Sequence, residues 1–274
     1  MVTKHANLIK TLPSPVYKII AQSWYDKKFP RHIFIETTAA CNLNCWYCPR
    51  EKTTDHMDFE MFKTIIDEAA CYGPRSFSLH LFGEPLLYPR FSDAVNYIKF
   101  KNRRNTILLT TNGTQIKKMA DELARLPIDK IIWSYKKGQI IPKEIRSWKN
   151  LTIRFMEGEE LPFPRREIRK LHNYGGTVAG SDLNVNFMAG KRYPCYHLWY
   201  APAVAVDGKI LICCSDPKRK SEIGNIKTMT LSQAWKKIEV HRLNHLNGNF
   251  EGICKNCDVW KQYPSTFFGW QYTT

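Results

Sequence analysis

HIFIETTAACNLNCWYC, residues 32–48, runs a short apolar, β-branched segment directly into a loop that carries three cysteines. The segment HIFIETT (32–38) reads as a strand, and similar runs follow as SFSLHLF (76–82), TILLTT (106–111), KIIWS (130–134), LTIRFM (151–156) and LNVNFM (183–188). Helical patterns fall between them. Asp58 is placed to cap a helix in which Phe59, Phe62, Ile65, Ile66 and Ala69 share one face. Phe91, Ala94, Val95, Ile98 and Phe100 mark a second helix, and Ile116, Met119, Ala120, Leu123 and Ala124 a third. Strands alternating with helices are the signature of βα units on a parallel sheet, an α/β fold whose chemistry sits at the carboxyl ends of the strands. The cysteine loop falls at such an end.

The chain has 274 residues, enough for one large unit and a small appendage, since single cores stop growing at roughly 250 to 300 residues. No segment approaches the roughly 18 to 20 apolar residues that span a bilayer, and the N-terminus lacks a signal-peptide core. A cytoplasmic protein is expected. In a reducing compartment nine cysteines do not read as a disulfide framework, and their close spacings point to metal ligation or catalysis.

Cys41, Cys45 and Cys48 are separated by three and then two residues. Three thiolates at this spacing can bind three irons of one cubane and leave the fourth iron open, the arrangement of a catalytic rather than a closed site. A zinc site completed by His56, or simple burial, are the alternatives. Beyond residue 190 the chain changes character: Cys195, Cys213, Cys254 and Cys257 suffice for a closed 4Fe-4S cluster or a structural zinc site. AVAVDGKILI reads as a hairpin that draws Cys195 and Cys213 together, and LSQAWKKIEVHRL as a helix. Cys214, beside Cys213, is a rival ligand; Cys71 reads as a small buried residue.

CNLNCWYC resembles the CxxxCxxC loop of the radical S-adenosylmethionine (radical SAM) superfamily, with Tyr47 in the aromatic position before the third cysteine. Phe82-Gly83-Glu84-Pro85 resembles the family's GGEP motif, with Phe82 in place of the first glycine; Thr111-Asn112-Gly113 resembles its TNG turn; and Ser134 matches its cofactor-contacting serine. The region from Cys195 to Cys257, including the C-x12-G-x4-C spacing to Cys213, is similar to the SPASM/twitch auxiliary-cluster region, in the shorter twitch form. The resemblance implies a partial (β/α)6 TIM-like barrel over 31–190, an N-terminal extension over 1–30, and a small twitch iron-sulfur module over 191–274. It implies two 4Fe-4S clusters, one catalytic on Cys41, Cys45 and Cys48 and one auxiliary on Cys195, Cys213, Cys254 and Cys257. It further implies S-adenosylmethionine held by Tyr47, Gly83, Glu84, Asn112 and Ser134, reductively cleaved to a 5'-deoxyadenosyl radical that abstracts substrate hydrogen.

By the same resemblance the default reaction is oxidation of a small molecule, fed by an acidic electron donor such as flavodoxin or ferredoxin. Modification of a peptide, protein or nucleic-acid base is the alternative; the short stretch ahead of the first strand favours a substrate recognised without a leader. The formal charge of +16 is spread along the chain and suits a phosphorylated or nucleotide-like substrate, an acidic donor, or nucleic acid. A non-catalytic, metal-stabilised nucleic-acid-binding protein is the rival from another class, with Trp199, Tyr200, Trp260 and Phe268 available for stacking. His80 and Arg154 are candidates to face the barrel interior, or ordinary core polar residues; no acid or base is assigned.

Overall fold

The structure is a computed structural model that describes residues 25–156, 162–169, 171–178, 192 and 194–259. Its frame is a sheet of nine strands: β1 (His32–Ile35), β2 (Ser76–Ser78), β3 (Thr106–Thr111), β4 (Lys130–Ser134), β5 (Leu151–Met156), β6 (Arg166–Arg169), β7 (Ala203–Val204), β8 (Lys209–Leu211) and β9 (Glu222–Asn225). The order is β6-β5-β4-β3-β2-β1-β7-β8-β9. Every pairing from β6 through β1 to β7 is parallel, and only β7–β8 and β8–β9 are antiparallel. The first six strands form the α/β partial barrel, and β7 carries its sheet into the C-terminal module.

Alternation on β1 divides the side chains between the two faces of the sheet. Ile33 and Ile35 join the main core, while Phe34 packs in a separate cluster with Ala203, Ala205 and Leu211. The main core is filled by α1 (Phe59–Ala70) and α2 (Phe91–Lys101), which bury Phe62, Ile65, Ile66 and Ala69, and Phe91, Ala94, Val95 and Ile98. Asp58 caps α1 as expected, accepting from the Met61 N–H at 2.9 Å.

The elements differ from the sequence expectation in several places, and β1 itself ends at Ile35 rather than Thr38. β2 ends at Ser78, because the chain turns off the sheet to form the motif at Phe82-Gly83-Glu84. The third helix, α3, is confined to Ala120–Arg125, and its first turns are replaced by the turn after Gly113. The sixth parallel strand is Arg166–Arg169, whose charged REIR sequence at the sheet edge carries no apolar run; the run at 183–188 lies outside the described residues, as does the expected boundary near Gly190. The short helix before β7 is α4 (His197–Tyr200), and the helix expected from LSQAWKKIEVHRL is broken at Ile238 into α5 (Leu231–Lys237) and α6 (Glu239–Leu246). Cys71 is exposed rather than buried, at the end of α1.

The module is anchored to the barrel helices. Thr230 forms a capping box with Gln233, and Glu68 of α1 accepts from the backbone N–H groups of Leu231 and Ser232 at 2.7 and 2.8 Å. A carboxylate there satisfies two otherwise orphaned donors at the positive end of α5.

Candidate functional site

The loop after β1 is closed at its base by its own backbone. Ala39 N–H donates to the Asp55 carbonyl at 2.9 Å and Met57 N–H to the Thr37 carbonyl at 2.9 Å, so residues 40–54 project from the carboxyl end of β1. Inside the loop, Arg50 donates to the carbonyls of Cys41 and Leu43 at 3.1 and 3.3 Å, and Cys48 N–H turns back to the Cys45 carbonyl at 3.0 Å. Arg50 was not singled out in the sequence; its place directly after the third cysteine and Pro49 was the available signal. All three cysteines are partly exposed, and burial pushes the Cys48 thiol up.

Glu84 is the best-organised acidic group of the site. Gly83 lets it in: a Cβ on Gly83 would lie 1.9 Å from the Thr38 carbonyl oxygen, so a side chain there collides with backbone. Glu84 N–H donates to the Ala40 carbonyl at 2.7 Å, fastening this motif under the cysteine loop. The Glu84 carboxylate accepts from Thr111 Oγ1 and Asn112 N–H, both at 2.6 Å, and from Leu86 N–H at 3.3 Å. Burial raises its pKa to about 7 against these three hydrogen bonds.

The TNG turn meets the cysteine loop directly. Asn112 Nδ2 lies 3.7 Å from Cys41 Sγ and donates to Asn42 Oδ1 at 2.9 Å, while its Oδ1 accepts from Thr114 N–H at 2.9 Å. Gly113 has φ +81, and an added Cβ would strike the Trp133 indole at 1.9 Å, so only glycine makes this turn. Gln139, which carried no sequence signal, ties the turn to the end of β4: it accepts from Trp133 Nε1 and Lys136 N–H and donates to the Asn112 carbonyl, at 2.9, 2.8 and 2.8 Å. Ser134 is buried beside this network at the end of β4.

Tyr47 is buried, with Lys136 Nζ 4.9 Å and the Arg169 guanidinium 4.8 Å from its ring centroid, and its hydroxyl bonded to Lys136 Nζ. Arg169 also donates to Tyr174 Oη at 2.7 Å. His80 is buried, and burial, then the charges of Arg154 and Arg169, drive its pKa down to about 3, so the imidazole is neutral. Arg154 is paired with Glu167 on β6 at 2.5 Å.

The second cysteine set forms one place. Cys195, Cys213, Cys254 and Cys257 line one cavity together with Arg192, His197 and His245. Cys213 faces this cavity, whereas Cys214 packs against the separate cluster of Phe34 and Ala203. Burial, then the neighbouring cysteines, push the thiols of Cys254 and Cys257 up to about 12 and that of Cys195 upward as well. Four thiols whose charged forms repel one another need a compensating positive centre, which a bound iron-sulfur core provides. Among the described residues no three His, Cys, Asp or Glu side chains converge to hold a single ion. His56, the candidate fourth zinc ligand, instead bridges in the backbone to Thr38.

An open parallel barrel with a three-thiol loop at β1, a buried glutamate after β2 and a four-thiol cavity in the appended module defines an iron-sulfur enzyme of the S-adenosylmethionine-cleaving type. The Radical SAM superfamily model matches residues 35–136, and the SPASM iron-sulfur cluster-binding domain model matches residues 195–258. The chain belongs to the radical SAM superfamily. It is 25% identical over 243 residues to the S-adenosyl-L-methionine-dependent 2-deoxy-scyllo-inosamine dehydrogenase of Niallia circulans, covering 85% of this chain and 94% of that protein. It is 32% identical to an uncharacterized protein of Treponema pallidum (strain Nichols), covering 85% of this chain and 79% of that protein. Its fold is similar to the crystal structure of BtrN in complex with AdoMet and 2-DOIA, with a TM-score of 0.68 at 24% identity, over 84% of this chain and 94% of that one. The chain is thus a radical SAM enzyme that binds S-adenosylmethionine and iron-sulfur, which sets aside the non-catalytic reading of its charge. Among the described residues no helix is long and apolar enough to cross a membrane.

Proposed function

We propose that this enzyme oxidises a carbinol of a small molecule by one hydrogen-atom abstraction and one electron transfer, as a twitch-type dehydrogenase with one catalytic and one auxiliary 4Fe-4S cluster. The observation that carries this reading is the cavity ringed by Cys195, Cys213, Cys254 and Cys257, which completes a second cluster site beyond the three-cysteine loop. The similarity to the inosamine dehydrogenase supports the reaction class. In this reading 31–190 is the catalytic barrel and 191–274 the auxiliary module, and the enzyme works in the cytoplasm with an acidic donor such as flavodoxin or ferredoxin.

The residues divide the work. Cys41, Cys45 and Cys48 would hold the catalytic cluster, and Arg50 fixes their loop. Glu84, set close to the Thr38 backbone by Gly83, would receive the amino group of S-adenosylmethionine. Tyr47 and Ser134 would bind the rest of the cofactor, and Asn112 links their turn to Cys41. When bound, cluster and cofactor supply a 5'-deoxyadenosyl radical; the barrel supplies position and exclusion of water.

Anaerobic reconstitution tests this. The protein should bind about eight irons in two cubanes and, once reduced, convert S-adenosylmethionine to 5'-deoxyadenosine, with Cys45→Ala abolishing conversion. A screen of hydroxylated small molecules in heavy water should find one that is oxidised while 5'-deoxyadenosine gains no solvent deuterium. Four irons alone, or cleavage that survives Cys45→Ala, would sink the reading.

A further inference from the structure

Arg192 stands apart from the residues already assigned. Its guanidinium donates to the carbonyls of Cys254 and, at 2.9 Å, Lys255, and rests 4.0 Å from the Phe250 ring centroid. It lines the same cavity as all four cysteines, and its charge acts on Cys257, Cys254 and Cys195. Of the other basic side chains lining that cavity, His245 accepts from the Cys195 N–H at its Nδ1 across 3.1 Å. Arg192 is the one arginine or lysine among the described residues that line it. Two carboxylates oppose it from fixed positions: Asp216, which accepts from Ser221 N–H and hydroxyl at 2.6 and 2.7 Å and acts on Cys254, and Asp258, which accepts from Asn173 N–H at 2.9 Å and acts on Cys257.

Arg192 combines two functions in one side chain. The fork to two successive carbonyls holds the CxxC turn in shape, since planar guanidinium matches paired acceptors. The charge does something separate. A cubane with four thiolates is anionic, and uptake of an electron makes it more so; a cation in a low-dielectric wall favours the more anionic state.

We propose that Arg192 is a positioning and tuning residue of the auxiliary cluster: it raises the cluster's reduction potential, so that the cluster accepts the electron left on an oxidised substrate. This rests on the reading of the four cysteines as an auxiliary cluster. In the step it favours, the substrate carbon has lost a hydrogen atom to the 5'-deoxyadenosyl radical. Its hydroxyl then loses a proton to solvent and one electron passes to the cluster, leaving a carbonyl. The C–H and O–H bonds break, a C=O bond forms, and the cluster is reduced by one electron.

The test is a redox titration of the full chain reconstituted with iron and sulfide, followed by electron paramagnetic resonance, in a Cys45→Ala background that leaves the auxiliary signal alone. Arg192→Gln should shift the cluster's reduction equilibrium at least about tenfold against reduction, which is about 59 mV for a one-electron couple. Arg192→Lys, which keeps the charge but loses the fork, should stay near the parent value. An unchanged potential in Arg192→Gln with the cluster intact overturns the proposal, because a merely structural arginine would alter cluster content and not potential. If Arg192→Gln fails to hold the cluster, Arg192→Lys decides: a parental potential supports charge tuning, and a potential displaced against reduction overturns it. Absence of any cluster signal in the Cys45→Ala parent is the separate outcome in which the auxiliary-cluster reading itself fails.

Discussion

Asn112 Nδ2 points at the sulfur of Cys41 across 3.7 Å, joining the turn after β3 to the first cysteine of the loop after β1. A donor on a cluster sulfur stabilises the electron-rich state, since hydrogen bonds to sulfur are among the levers on cluster potential. Asn112→Ala should therefore lower the catalytic cluster's potential and slow reductive cleavage of S-adenosylmethionine by about tenfold or more. Spectroscopic redox titration alongside 5'-deoxyadenosine formation checks it; a slower reaction at an unchanged potential would locate the effect in the turn instead.

Glu84 makes cofactor affinity depend on pH. Its pKa is raised from 4.5 to about 7 by burial, so the cofactor-free protein holds a proton there that the unfolded chain has already released. For a carboxyl with a raised folded pKa, stability falls as pH climbs between those values, and an incoming ammonium group must displace that proton. Binding of S-adenosylmethionine should tighten by roughly tenfold per pH unit below about pH 7 and level off above it. Calorimetric titration at several pH values measures this, and Glu84→Gln should bind weakly with the slope removed.

Gly83→Ala brings a methyl group within 1.9 Å of the Thr38 carbonyl oxygen, a backbone atom that cannot swing aside. The motif must lift from beneath the cysteine loop, breaking the Glu84 N–H bond to the Ala40 carbonyl. We expect cofactor binding to fall by more than about tenfold with destabilisation of about 1 to 3 kcal/mol, the range of overpacking at a tight site. Equilibrium binding and denaturant titration read the two effects separately.

Glu68→Ala removes the carboxylate that bonds the first N–H groups of α5. Hydrogen bonds to charged groups are worth about 1.5 to 3 kcal/mol, and solvent access at this partly exposed position points to the lower end. The loss should appear in anaerobic denaturant titration as lower stability with S-adenosylmethionine cleavage retained per assembled cluster. Glu68→Gln, which keeps acceptor capacity on one oxygen, should lie between.

The parts of the fold written locally were legible. Asp58 with its apolar face gave α1, and the DGK turn gave the hairpin of β7 and β8, because caps and turns act within a few residues. The cysteine loop was legible for a similar reason: ligand spacing is a local property. What escaped was assembled over long distances. β6 is an edge strand whose REIR sequence earns its place by pairing with β5, Glu167 meeting Arg154, not by an apolar run. Gln139 and Arg192 matter through the carbonyls they reach, 27 and 62 residues away in sequence, and a carbonyl acceptor leaves no residue-type signature.

The pairing of β7 with β1 rests on two residue pairs, Phe34 with Ala203 and Ile35 with Val204. This short seam works as a ruler. The strand that launches the three-thiol loop and the hairpin that leads to Cys213 are stitched in one register, and a slip of one residue would displace them by about 3.3 Å and reverse the facing of every side chain between them. In the proposed reaction electron transfer decays steeply with separation, and this register gauges the distance between the three-cysteine loop and the four-cysteine cavity by backbone hydrogen bonds, not by a tether.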